Sequence, residues 1–272
     1  MIEFVRTTFL MLALQTAPAV TQTPALPSAG EEAEIFLRTA EVVKVEDFES
    51  KGITKPRTVT LSIGELTGEA VFKTIDAGHA KESVSNGRTV LRLKDSYKHE
   101  IAAYELDKLL GLGIVPPTVE RTIHRDTGSL SLWLNGTMSE WYRAKVAKIP
   151  PPDPQGWNDQ MFVIRLFMQL TWDTDYNNIS NLLIDTDWCI WKIDSSRAFR
   201  VDRKLRREGT LTRFSRRTLS ALGELSRERL HEHLGPWLDR KQLDGLWARR
   251  ERILELAAER VAEHGEEAVL YP

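Results

Sequence analysis

The stretch that decides the fold is Trp172-Asp-Thr-Asp-Tyr-Asn-Asn-Ile-Ser-Asn-Leu-Leu-Ile-Asp185, followed by Trp188-Cys-Ile-Trp-Lys-Ile-Asp-Ser-Ser-Arg-Ala-Phe199. Two short apolar runs flank a turn at Asp185-Thr-Asp187, the pattern of a β-hairpin. An Asp/Asn-rich loop enters it, and Asp194 leaves it. A carboxylate just past Ile190-Trp-Lys-Ile193 stands at the edge of a core, where acids have ligands or donors. Asp173-Thr-Asp175-Tyr-Asn177 also matches the first half of a calcium loop. The second half fails, with Asn178 where Gly is required and Ile184 where the bidentate Glu belongs. A plain Asx-rich turn, with side chains capping the backbone, is the stronger competitor.

Working outward, residues 159–170 are apolar nearly all round apart from Gln160, Arg165 and Gln169, the composition of a helix buried in the centre of a lobe. Before it, Ile149-Pro-Pro-Pro-Asp-Pro-Gln-Gly156 marks a linker or a helix start, since it fits neither a helix interior nor a sheet. Further back, residues 97–110 place Ala102, Leu106, Leu109 and Leu110 on one helical stripe, with Gly111 and Gly113 where a helix stops. Val115-Pro-Pro opens an extended segment through Ile123, and Asp126-Thr-Gly128 turns the chain into alternating Leu130, Leu132 and Leu134. Val43 and Val45, then Val59, Leu61 and Ile63, then Val71, Lys73 and Ile75 alternate like three strands. The last two join through Gly64-Glu-Leu-Thr-Gly68 as a hairpin over 57–76. Residues 76–87 read as a loop, and 31–39 as a short helix. On the other side, everything from about Leu211 reads as helix, with Leu243, Leu246, Trp247, Ile253, Leu254, Ala257 and Val261 on one stripe. The tryptophans read as core residues.

The chain of 272 residues is 42% hydrophobic and 28% charged with a net charge of −2, which excludes a disordered chain and a globally basic nucleic-acid binder. An anion site must be local. A single cysteine, Cys189, excludes an intrachain disulfide framework and a Cys-rich zinc site, and the histidines form no metal triad. No apolar stretch reaches the roughly 18–20 residues that span a bilayer. Near the N-terminus, Arg6, the apolar run Phe9-Leu-Met-Leu-Ala-Leu14 and Ala17-Pro-Ala19 resemble a secretory signal, which implies export to a periplasm or beyond. The alternative is an unfolded tail on a cytoplasmic protein. The expected organisation is a signal and unstructured segment over 1–30, a β-rich lobe over 31–136 and a helical lobe over 137–272.

Phosphoryl transfer from a nucleotide needs a carboxylate to orient or deprotonate the acceptor, and an amide with a second carboxylate to hold divalent ions. The Asp/Asn loop and Asp194 supply such groups. Lys73, on the third strand of the first lobe, is placed to contact phosphates, and a helix carboxylate such as Glu100 to hold that lysine. Here the chain resembles the kinase-like superfamily, in the branch of phosphatidylinositol kinases, HipA-like kinases and Fam20-type secretory-pathway kinases. The resemblance runs over about 35–256. It rests on Val71-Phe-Lys73, on His99-Glu-Ile-Ala-Ala-Tyr-Glu-Leu-Asp-Lys-Leu-Leu-Gly-Leu-Gly-Ile-Val-Pro-Pro117, on Asp175 through Asn181-Leu-Leu-Ile, and on Ile193-Asp-Ser-Ser-Arg-Ala-Phe199. It implies an α+β, two-lobed fold and an ATP-dependent phosphotransferase acting on a protein, sugar or lipid hydroxyl with Mg²⁺ or Mn²⁺. By position, Lys73 becomes the phosphate ligand, Glu100 its partner, Asp175 the catalytic carboxylate, and Asn181 and Asp194 the metal ligands.

The family places the acid five residues before the Asn, whereas Asp175 is six before Asn181. Either the loop holds one extra residue or the pair is Asp173 with Asn178. The passage of Asn181-Leu-Leu-Ile into the next strand favours Asp175. The protein-kinase Gly-rich loop is also missing, which this branch tolerates. The irregular spacing leaves a pseudokinase-type nucleotide-binding or scaffold module as the alternative function.

Taken alone, Lys73 would be an exposed strand lysine, Glu100 a solvated first-turn acid, and Glu105 a weaker partner for the lysine. Eight basic residues between Arg200 and Arg217 read either as a solvated face or as a contact for an anionic acceptor or headgroup.

Overall fold

A computed structural model describes residues 26, 29–47, 56–76, 82–85, 88–91 and 95–272. The signal-like segment lies outside them. The first helix, α1 (Gly30–Thr39), carries Glu31 and Glu32 in its first turn, where acids complement the helix dipole. The chain then runs through β1 (Glu41–Asp47), β2 (Arg57–Ile63) and β3 (Leu66–Lys73). The turn between β2 and β3 is only Gly64-Glu65, with Gly64 at φ +58°. Gly68, expected in that turn, instead lies inside β3 opposite Leu61.

The expected 76–87 loop contains β4 (Glu82–Ser85), which pairs with β5 (Arg88–Leu91) as a separate hairpin. Next, α2 (Tyr97–Leu110) starts at a Ser96 cap and stops at left-handed Gly111, as its stripe and glycines predict. After α2, β6 (Thr118–Ile123) and β7 (Asp126–Leu132) turn at His124-Arg125, two residues earlier than expected, and Gly128 falls within β7. The five strands form one antiparallel sheet in the order β1-β2-β3-β7-β6. Alternation along β3 sends Ala70 and Phe72 into a small core with Phe36, Leu37, Leu61 and Leu130, beneath α1, and leaves Val71 and Lys73 on the other face.

The second lobe opens with β8 (Met138–Ser139), a π-helical turn at Tyr142–Ala147, and α3 (Pro154–Leu170). Pro154 sits at the start of α3, where its missing N–H costs nothing, and Asp153 caps it. The expected buried stretch 159–170 is the C-terminal part of α3; it is half-buried from Asp159 to Val163 and continuously buried from Leu166 to Leu170. The hairpin at the decisive stretch is present as β9 (Leu182–Ile184) and β10 (Ile190–Lys192), with β8 on its outer edge. It is followed by β11 (Phe214–Ser215), α4 (Arg216–Glu224), α5 (Arg227–Leu234), α6 (Arg240–His264), α7 (Glu266–Val269) and β12 (Leu270–Tyr271). The parallel pairing of β11 with β12 interrupts the all-helical expectation for this region. The larger core joins α3, α4, α5 and α6 and also takes Ala102, Ala103, Leu106 and Leu110 of α2. Trp157 alone of the tryptophans is fully buried, and Trp141 is half exposed. The fold is thus two-lobed and α+β.

Candidate active site

Lys73 ends β3, the middle strand of the five, and points away from the small core. Its Nζ lies 2.5 Å from Glu100 Oε1 and 2.8 Å from Asp194 Oδ1. Glu100 sits in the first turn of α2, and its second oxygen accepts the Ser195 backbone N–H at 2.9 Å. Asp194 has φ +58°, a left-handed backbone unusual for a non-glycine residue and often found at functional sites. Burial alone would depress the Lys73 ammonium, but Glu100 and Asp194 outweigh it and hold it above the usual lysine range. Burial likewise opposes ionisation of Asp194, yet Lys73 holds it down at about 2.

A second lysine carries the loop beneath this group. Lys192 and Asp173, each 1% exposed, pair at 2.9 Å. Lys192 Nζ also donates to the carbonyls of Ile193 at 2.7 Å and Asp194 at 3.2 Å, and Asp173 Oδ1 accepts the Asp175 N–H at 2.8 Å. One buried ion pair therefore fixes both the entrance of the Asp/Asn loop and the backbone around Asp194. Asp173 is closed off from any ligand by this arrangement. Asn178 is engaged as a cap, accepting the Ser180 N–H and donating to Asn181 Oδ1.

Asp175 is open to solvent on one side, with Arg197 Nη1 3.6 Å from its carboxylate. Burial pushes the Asp175 carboxyl above its usual value, Arg197 pulls it back, and the charges of Asp173 and Asp194 add to the rise. Arg197 is in turn held by Asp95, 2.8 Å from its Nε. Glu105, the weaker candidate, pairs with Lys108.

Lys73, Glu100, Asn181 and Asp194 line a cavity of about 420 Å³ whose walls also include Val71, Val115, Leu132, Leu134, Leu183 and Ile193. Small-ligand sites hold roughly 300–1,000 Å³ and are mostly apolar with a few convergent polar groups. The Asn181 amide nitrogen is buried without a partner among the described residues. No cluster of three His, Cys, Asp or Glu side chains that could hold a metal ion is found among them. Magnesium-type sites instead use one or two carboxylates completed by substrate phosphates. An ionised, partly open Asp194 fits that description, whereas the unpaired Asn181 NH2 is a donor suited to a phosphate oxygen, and the Asn181 Oδ1 that could ligate an ion accepts from Asn178.

The basic run divides. Arg206 donates to the Thr174 carbonyl and lies over Trp172, and Arg207 lies over Tyr176, so both brace the loop carrying Asp175. Arg216 pairs with Glu266, Arg217 reaches the Gly111 carbonyl and Arg213 lies over Tyr271. Lys192 and Arg197 had gone unassigned in the sequence. Alternation in β10 carried a signal for Lys192, since it shares a face with buried Ile190. No local pattern marked Arg197.

No protein-family model and no curated protein matches the chain. Among solved structures, hydra Fam20 with sugar superposes with a TM-score of 0.65 at 16% identity, covering 88% of this chain and 91% of that one. The golgi casein kinase gives 0.61 at 17%, covering 86% and 76%. The Helicobacter pylori proinflammatory kinase CtkA gives 0.50 at 12%, covering 84% and 97%. The chain has the kinase-like fold, and Fam20-type kinases are among the structures that share it.

Proposed function

We propose that the protein is an ATP-dependent phosphotransferase acting on a hydroxyl acceptor. The observation that carries this reading is Lys73 held between Glu100 and Asp194 in the wall of a mostly apolar cavity. The apolar walls suit a nucleotide base, and the Lys73 ammonium, fixed by Glu100, suits its phosphates. Asp175 would orient the acceptor hydroxyl and accept its proton, a task its raised proton affinity favours. Asn181 and Asp194 would hold Mg²⁺ or Mn²⁺, which when bound neutralises phosphate charge. Burial of Asp173 against Lys192 supports Asp175 over the Asp173/Asn178 pair. Of the basic run, exposed Arg203 and Lys204, beside Arg206 and Arg207, supply the positive rim for an anionic acceptor. The sugar with hydra Fam20 keeps sugar hydroxyls among the acceptors to test.

Export through the N-terminal segment is a separate proposal, in tension with ATP use because a periplasm would offer little nucleotide. No helix of the described residues is long and apolar enough to cross a membrane. Sequencing the mature N-terminus tests it, and an intact Met1 on a cytosolic protein would remove it.

The principal experiment is phosphate transfer from γ-labelled ATP with Mg²⁺ or Mn²⁺ to protein, sugar and lipid acceptors, beside Asp194→Ala. Label incorporation that disappears in the variant is expected. Metal-dependent ATP binding without transfer would favour the pseudokinase-type module, a reading supported by the six-residue spacing and by Arg197 facing Asp175.

A further inference from the structure

Eight large hydrophobic side chains are exposed among the described residues, and four of them fall within residues 141–149: Trp141 at 49%, Tyr142 at 47%, Val146 at 52% and Ile149 at 40%. Exposed apolar groups scattered singly need no explanation, but a contiguous set marks an interaction site. These four sit on and beside the π-helical turn, a form of helix that is rare and concentrated at functional sites. Arg143 pairs with Glu140 at 2.6 Å and lies over the buried Trp157 ring, tying the turn to α3.

The charge on this surface selects its occupant. Residues 141–149 contain Arg143, Lys145 and Lys148 and no acid. Arg143 is committed to Glu140, whereas Lys145 and Lys148 are exposed and have no ion-pair partner among the described residues. Protein–protein interfaces enrich Trp, Tyr and Arg but deplete Lys. Trp and Tyr beside aliphatic side chains and free lysines are instead the composition of a lipid–water interface. There the ring bodies enter the acyl boundary and the ammonium groups stay with anionic headgroups.

We infer that residues 141–149 form a docking surface for an anionic phospholipid membrane. The surface lies next in the chain to Thr137, which lines the nucleotide-sized cavity, and to β8, which pairs with the catalytic hairpin. A docked molecule would therefore present one side of its cleft to the lipid surface. This does not depend on phosphate transfer.

The test is co-sedimentation of the full chain with phosphatidylcholine vesicles with and without phosphatidylserine, at low and high salt, beside Trp141→Ser/Val146→Ser and Lys145→Glu/Lys148→Glu. All four positions are exposed, and circular dichroism checks that the variants fold. The expected result is salt-sensitive binding to phosphatidylserine vesicles that falls at least several-fold in both variants. Binding equal in wild type and variants would assign it to another segment, such as the N-terminal apolar run, and overturn the inference. So would absence of binding, including the case where wild type self-associates through Trp141 and a second copy covers the patch. Loss of ATP binding with vesicle binding retained would count against the phosphotransferase reading alone.

Discussion

Lys192 and Asp173 bring opposite charges into a place almost closed to water, where they pair directly and Lys192 also offsets the charges of Asp175 and Asp194. Removing one partner of a buried pair costs about 3–5 kcal/mol because the remaining charge is stranded. Lys192→Met is therefore expected to lower unfolding stability by about that amount in urea titrations. Lys73 differs, since it stands between two acids at a cavity. Lys73→Ala is expected to weaken ATP binding at least tenfold by calorimetry while the protein still folds, and unchanged affinity would remove it from the site. The pair also sets a pH dependence. The depressed Asp194 carboxyl contributes stability that is complete above the ordinary carboxylate value of about 3.9 and disappears as pH falls through about 2. The raised Lys73 value contributes below about 10.4 and is lost only at higher pH. Lys73→Met should flatten the acid limb of stability below about pH 4. Lys73, Glu100 and Asp194 were picked out by their positions in the motifs that carry the family resemblance, since taken alone Lys73 reads as a surface lysine and Glu100 as a solvated first-turn acid. Arg197 could not, since its partners Asp95 and Asp175 meet it only through the tertiary fold.

Helix α2 shows what patterning does and does not reveal at the level of elements. Its C-terminal end is legible from Gly111, but the Ser96 cap and the core it joins come from the structure. Leu106 belongs to the larger core, so Leu106→Ala should cost about 2–5 kcal/mol in denaturant titrations. Asp107, buried on the same helix, accepts the Ile114 N–H, yet burial pushes its carboxyl up to about 6. A raised acid binds more protons folded than unfolded, so stability should fall as pH rises from about 4 to 6 and level off above. Asp107→Asn is expected to remove that slope in a pH series of urea midpoints. Gly68 and Gly128 were misplaced as turn residues for a physical reason. A Cβ at Gly128 would lie 2.2 Å from the Lys73 carbonyl oxygen, and one at Gly68 2.6 Å from the Leu26 side chain. A glycine kept for close approach looks, in sequence, like one kept for a turn.

At the scale of the whole molecule, the two cores meet around the cavity, and a ligand there touches both. Nucleotide with metal at about a hundredfold excess over its dissociation constant should raise stability by about 2.7 kcal/mol, read as a shift in thermal midpoint. The shift should vanish in Asp194→Ala. The β-rich lobe before the helical lobe was legible from the change of period along the chain; the exposed aromatic turn was not, because Trp141 in isolation reads as core. One consequence of α2 remains. In protein kinases the position of a glutamate-bearing helix controls whether the lysine ion pair is in place. Here that helix is seated in the larger core by Ala102, Ala103, Leu106 and Leu110. Displacing it would mean opening the interior of the second lobe. The Lys73–Glu100 contact therefore shares its support with the packing that holds the second lobe together, so loosening that interior and parting the two charges would be a single event.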